Sequence, residues 1–234
     1  MLSGAGLAAM LWLLPRSGPL WLTVMPEVSR PVWTSQEWFS LLLQHVMLAV
    51  GAASIAAGIG FTIGVIATGR LGKPLRPLLD SLFSLAQAIP PVAVIALALP
   101  SLGFGVPPTL LALVLYSTLP VMRSVTAGLE AVPSHIIDAA TGAGMSNRQV
   151  FIKVQLPLAM PVIQSGLRVS VTLAIATTAV GAVAGVNCLG TPIVTGLANG
   201  NPAWVLQGAL VTAWLALLVD QCLAILLNRP GQAG

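Results

Sequence analysis

Five long apolar runs, near residues 39 to 68, 80 to 100, 106 to 127, 160 to 185 and 203 to 227, leave this chain little choice of fold. An α-helix needs roughly 20 mostly apolar residues to cross a hydrocarbon layer about 30 Å thick. In lipid every backbone amide must be paired, which restricts spanning structures to helices and closed barrels. The runs are built from Leu, Ala, Val and Ile without period-two alternation, so helices are selected. Only 7% of the residues are charged and 56% are hydrophobic, with a mean hydropathy of +0.94, against roughly 25% charged residues in soluble domains. The expectation is an all-α, polytopic membrane protein with a transmembrane domain over 36 to 228 and a short tail at 229 to 234.

A weaker apolar segment near 2 to 14 ends at Pro15 and Arg16, and the patch from Leu20 to Met25 is too brief to cross alone. Residues 1 to 35 read as a membrane anchor with an additional N-terminal helix, followed by an extracytoplasmic connector. A cleaved signal peptide is the competing reading; the basic stretch such a peptide needs is missing before Leu7.

Orientation follows from the basic residues, because short cytoplasmic loops retain Lys and Arg. Arg70, Lys73 and Arg76 follow the 39 to 68 run, Arg123, Arg148, Lys153 and Arg168 bracket the loop near 130 to 158, and Arg229 follows the last run. In an alternating topology all of these fall on one side. The loops near 101 to 106 and 186 to 202 hold no Lys or Arg, and only Arg30, with Arg16 at the boundary, lies in the connector. The loop near 130 to 158 is thus predicted to be cytoplasmic. The same distribution accounts for a pI near 9.8 without a nucleic-acid partner. Cys188 and Cys222 are separated by the topology, which argues against a disulfide, and neither has ligand-spaced His or Cys neighbours, so no metal site is expected.

That loop is the polar exception in an apolar chain. Pro133 and Ser134 mark a helix start, with the Ser134 hydroxyl offered to the free amides, and Ile136, Ala139, Ala140 and Ala143 recur at helical spacing. Gly144 suits the left-handed residue that closes a helix, and Ser146 to Gln149 reads as a capping box opening the next. The second helix carries Val150, Phe151 and Val154 and is predicted to break at Pro157. Two short helices meeting at a corner, with a face of small alanines, would let another protein approach closely.

Asp138-Ala139-Ala140, Gly144 and Leu156-Pro157 resemble the cytoplasmic motif of ABC importer permeases, commonly written E-A-A-x3-G-x9-I-x-L-P. Asp138 stands where that family prefers Glu, and Val154 where it prefers Ile. Further stretches resemble permeases for glycine betaine, choline, carnitine and related osmoprotectants: Gln87-Ala88-Ile89-Pro90-Pro91, Gly103-Phe104-Gly105, Leu115 to Pro120, Gly166-Leu167-Arg168 and Leu189 to Ile193. Gly185-Val186-Asn187-Cys188-Leu189-Gly190 departs from the family's usual Gly-Ala-x-x-Leu-Gly.

The resemblance implies a type I importer permease with five core helices in a bacterial inner membrane, a non-enzymatic transport subunit. It implies a second permease, identical or paralogous, a cytoplasmic ABC ATPase dimer that holds ATP and Mg, and an extracytoplasmic substrate-binding protein. The chain contains no Gly-x4-Gly-Lys-Ser/Thr phosphate loop, so nucleotide is expected on the ATPase and no cofactor here. Asp138, Ala139, Ala140, Gly144, Leu156 and Pro157 would transmit force from that ATPase. Gln87, Pro90, Tyr116 and Asn187 are candidates for the translocation path, each able instead to satisfy a neighbouring backbone group. Pro90, Pro91, Pro100, Pro107, Pro108 and Pro120 provide candidate breaks, and Gly51, Gly58, Gly60 and Gly64 candidate close crossings.

A quaternary ammonium solute is bound tightly by aromatic faces, yet most of the six Trp residues lie near run ends, where interfacial anchoring accounts for them. Selectivity is therefore assigned to the separate binding protein. Two other readings stay open: a permease for amino acids or another small solute, and an ion-coupled carrier or channel using His45, Asp80 or Asp220. For the latter two classes, buried titratable groups would serve as ion sites. The packing alternative makes His45 a hydrogen-bonded core residue and Asp220 a contact between helices.

Overall fold

The computed structural model describes residues 4–69 and 72–227; Arg70, Arg229 and the tail expected at 229 to 234 lie outside the described residues. The described residues contain no strand. Helix α1 (Gly4–Leu13), a 3₁₀ turn (Leu14–Arg16) and α2 (Gly18–Val24) precede a connector, and then come α3 (Trp38–Thr68), α4 (Arg76–Ala88), α5 (Pro91–Leu102) and α6 (Val106–Glu130). Next are α7 (Ser134–Gly142), α8 (Asn147–Val150), a π turn (Phe151–Gln155) and α9 (Leu156–Thr178), prolonged by a 3₁₀ segment (Ala179–Ala184). Helices α10 (Thr191–Ala198) and α11 (Pro202–Leu227) complete the fold.

Four stretches are long and apolar enough to cross a membrane: Trp38–Thr68, Val106–Glu130, Asn147–Ala184 and Pro202–Leu227. The fifth expected run, 80 to 100, is a broken pair, α4 and α5, bent by 92°. Its cause is Ile89-Pro90-Pro91. A residue before proline is pushed out of the helical region, and Ile89 (ψ 127°) and Pro90 (ψ 139°) are both extended. Of the six candidate breaks only this pair interrupts a helix: Pro107 and Pro108 sit in the first turn of α6, and Pro100 and Pro120 lie inside α5 and α6. Helix α1 has ten residues, about 15 Å at 1.5 Å per residue, half of what a crossing needs. It lies against α11.

Helix α6 is the most enclosed of the long helices, packed between α3 and α9. At the α3–α6 crossing, a Cβ on Gly60 would stand 2.8 Å from the Thr118 carbonyl oxygen, and one on Gly64 2.7 Å from Val125 Cβ. These two glycines permit the approach. Gly51 and Gly58 face open space and take no part in it. His45 sits at a second junction, fully buried: its Nε2–H donates to the Ile175 carbonyl (2.9 Å) and its Nδ1 accepts from the Leu189 amide (3.3 Å). Both ring nitrogens are thereby occupied by backbone, and His45 is a packing residue.

The two ends of the bundle differ. At the basic end Arg76 pairs with Glu130 and with Asp80 (3.7 Å), and Arg123 reaches Asp80 (3.8 Å) and the Ser84 hydroxyl (2.7 Å). At the opposite end the connector is pinned to α11. The buried Gln207 donates to the Pro31 carbonyl (2.6 Å) and accepts from the Trp33 amide (3.1 Å), while Asn201 donates to the Arg30 carbonyl (2.8 Å). Trp33 packs edge-on against Trp204, ring centroids 5.3 Å apart. Trp33 and Trp38 are therefore core residues and not the interfacial anchors expected; Trp12, 61% exposed, keeps that character.

Candidate functional site

The polar loop at the basic end folds into an elbow whose hydrogen bonds are almost all local. Helix α7 closes in a Schellman motif: the Met145 amide donates to the Ala140 carbonyl (3.2 Å) and the Gly144 amide to the Thr141 carbonyl (2.9 Å). Gly144 has φ +85°, which a residue with a side chain adopts only at a cost. Immediately afterwards Ser146 and Gln149 form the expected capping box, the Ser146 amide donating to Gln149 Oε1 (2.8 Å) and the Gln149 amide to Ser146 Oγ (3.4 Å). At the start of α7 the expectation differs from the structure. Pro133 is the cap residue, Ser134 is already helical, and no side chain caps this end.

The break expected at Pro157 does not occur. Helix continues from Asn147 to Ala184, because the chain widens to a π turn at Phe151–Gln155, where the Leu156 amide donates five residues back to the Phe151 carbonyl. Widening by one residue immediately before the proline absorbs its missing amide and the crowding of its ring. The elbow is consequently joined to α9 by helix.

The elbow is amphipathic. Ile137, Phe151 and Leu156 pack on the cluster of Val121, Val125, Leu129, Val132, Ala159 and Ile163. Asp138 and Ala139 are exposed, Ala140 is half-buried, Gly144 and Pro157 are exposed. Asp138 enters no ion pair among the described residues. Asp138, Ala139, Ala140 and Gly144 thus share one elbow, while Leu156 works on its packed side and Pro157 at its junction with α9.

The four path candidates are not brought into one cluster by their contacts. Gln87, on α4, donates to the Tyr116 carbonyl on α6 (2.8 Å). That carbonyl faces Pro120 four residues on, which has no amide to give it; Gln87 supplies the missing donor. Tyr116 is 6% exposed and its hydroxyl finds no hydrogen-bond partner among the described residues. Pro90 lies exposed in the break between α4 and α5. Asn187 is at the opposite end, accepting from Gln36 Nε2 (3.1 Å).

Reasoning from sequence missed the full form of one contact. Arg168 on α9 and Asp220 on α11 form a fork-to-fork ion pair, Nε to Oδ1 and Nη2 to Oδ2, each 2.6 Å. The signal was available: two opposite charges inside apolar runs.

A bundle of membrane-crossing helices carrying a self-capped polar elbow at its basic end defines a multi-pass membrane component. The chain belongs to the binding-protein-dependent transport system inner membrane components, whose family model matches residues 58–230. It is an ABC importer permease of the inner membrane. It is 33% identical over 181 residues to the osmoprotectant import permease protein OsmY of Salmonella typhimurium, covering 77% of each chain. It is 31% identical to the carnitine transport permease protein OpuCB of Listeria monocytogenes, over 80% of this chain and 84% of that one. An inward-facing structure of the MetNI methionine ABC transporter shares its fold, with a TM-score of 0.66 and 19% identity over 83% of this chain and 98% of that chain.

Proposed function

We propose that this permease carries a small osmoprotectant of the glycine betaine, carnitine or choline class into the cytoplasm, driven by ATP hydrolysis on a separate cytoplasmic ATPase dimer. A second permease completes the membrane path, an extracytoplasmic binding protein delivers the solute, and ATP and Mg reside on the ATPase. The substrate reading rests on likeness to osmoprotectant and carnitine permeases over about three quarters of the chain. One observation carries the coupling: the elbow's outer face, Asp138 and Ala139, is exposed and unpaired, while its inner face is locked to the bundle through Ile137 and Phe151.

Such a body moves as a unit. Closure of the ATPase dimer would displace α7, the Gly144 corner would pass the movement to α8, and the unbroken helix through the π turn would pass it to α9. Each state of the transporter must offer the elbow different contacts for ATP to bias the equilibrium. Asp138 is one methylene shorter than the Glu that the family prefers, so a cationic partner on the ATPase has to come closer. None of these residues performs bond chemistry. The ion-coupled alternative loses its candidates, since His45 is held by two backbone groups, Asp80 by Arg76 and Arg123, and Asp220 by Arg168.

The test is reconstitution of the permease with its cognate ATPase and binding protein in proteoliposomes. Glycine betaine, carnitine or choline should stimulate ATP hydrolysis and accumulate inside; methionine or histidine should not. Stimulation by an amino acid alone would overturn the substrate assignment.

A further inference from the structure

The Arg168–Asp220 pair is not buried. Its side chains are 38% and 31% exposed on helices otherwise apolar enough to cross the membrane. Asp220 is followed by seven more helical residues, Gln-Cys-Leu-Ala-Ile-Leu-Leu, to Leu227, about 10 Å of helix at 1.5 Å per residue. Arg168 lies about 18 Å beyond the start of α9 at Leu156 by the same rise. Charged groups at such depth face a polar cavity or another protein segment, not lipid chains.

The pair forms one wall of an open groove of about 520 Å³ between α9 and α11. Ser165 and Thr172 add hydroxyls, and Val169 and Leu173 add apolar wall. The Thr172 hydroxyl lies 3.5 Å from Asp220 Oδ1. Arg168 commits only Nε and Nη2 to Asp220, so further guanidinium donors remain for a third group.

We propose that this groove is a transit site for a zwitterion, in which the solute carboxylate takes the spare donors of Arg168 and its quaternary ammonium lies against Asp220. This rests on the osmoprotectant reading and adds, within that class, a choice at the permease to the selection assigned to the binding protein. A quaternary ammonium has no N–H to donate, so what it requires is counter-charge or an aromatic face. The groove offers counter-charge. Its carboxylate end requires planar, bidentate donors, which arginine supplies. The adjacent plus and minus of the wall are matched by the adjacent minus and plus of a betaine, whereas choline, lacking a carboxylate, engages Asp220 alone. Aliphatic walls allow release, as a transit site needs.

The experiment uses the complete importer in proteoliposomes with labelled glycine betaine and labelled choline as probes at saturating concentration. The binding protein is unchanged throughout, so any altered ratio belongs to the permease. Wild type imports betaine with ATP; import of neither probe would sink the osmoprotectant reading itself. In Arg168→Gln the betaine-to-choline ratio of maximal rates falls by roughly tenfold or more, the loss of one charge-assisted contact. In Asp220→Asn it moves the other way, because choline depends on that carboxylate alone. Equal loss of both probes, or an unchanged ratio in both variants, overturns the proposal. Failure of both variants to assemble, with wild type active, would make the pair a clasp between α9 and α11 and overturn it too.

Discussion

The elbow and the opposite end of this permease hold their polar groups by opposite means. At the basic end the elbow satisfies itself over short range: Met145 to Ala140, Gly144 to Thr141, Ser146 with Gln149. At the opposite end the links span most of the chain, from Gln207 to Pro31 and Trp33, from Asn201 to Arg30, and from His45 to Leu189. A locally closed structure keeps its shape when its surroundings shift. A structure closed by long-range amide contacts holds helices to one another and gives way when they part. The difference suits an elbow that moves as a body and an opposite end that keeps the bundle in register.

Substitutions at the two ends should therefore separate stability from coupling. The largest stability loss is expected for Gln207→Leu, which strands the Trp33 amide and the Pro31 carbonyl, at roughly 3 kcal/mol for two buried unpaired groups; the thermal midpoint of the purified permease should drop clearly. Next comes Gly144→Val, which forces a β-branched side chain to φ +85° at roughly 2 kcal/mol. That variant should insert and bind its ATPase, while betaine import per bound ATPase falls severalfold. Ser146→Ala removes one half of the capping box for about 1 kcal/mol, and import should fall modestly while the thermal midpoint drops by about 2–4 °C. Smallest is Asn187→Ala at the exposed Gln36 contact, under about 0.5 kcal/mol. A large import defect there, with stability intact, would instead put Asn187 on the solute path.

The same contrast accounts for what was legible in the sequence. The corner at Gly144 and the Ser146 box could be read because the residues that close the bonds are within six of one another. The long spans were legible from hydropathy, and the bend at Ile89-Pro90-Pro91 from proline chemistry, although not its 92° angle. The helix through Pro157 was not, because nothing in the local sequence says whether a chain stops at a proline or widens to a π turn ahead of it, as Phe151–Gln155 does. Trp33 and Trp38 were misread as interfacial for a related reason: only the fold shows that the connector tucks beneath α1 and against Trp204. That Gln87 meets the carbonyl facing Pro120 was not legible, because the two residues are 29 apart in sequence.

On the proposed coupling, the elbow's outer face meets the ATPase in the cytoplasm. That contact is tested most directly by a single-cysteine permease, Ala139→Cys with Cys188 and Cys222 replaced by alanine, exposed to a thiol cross-linker within the assembled importer. A covalent permease–ATPase adduct whose yield changes with ATP is expected. Labelling of that cysteine by a membrane-impermeant thiol reagent from outside intact cells, with no adduct formed, would contradict it.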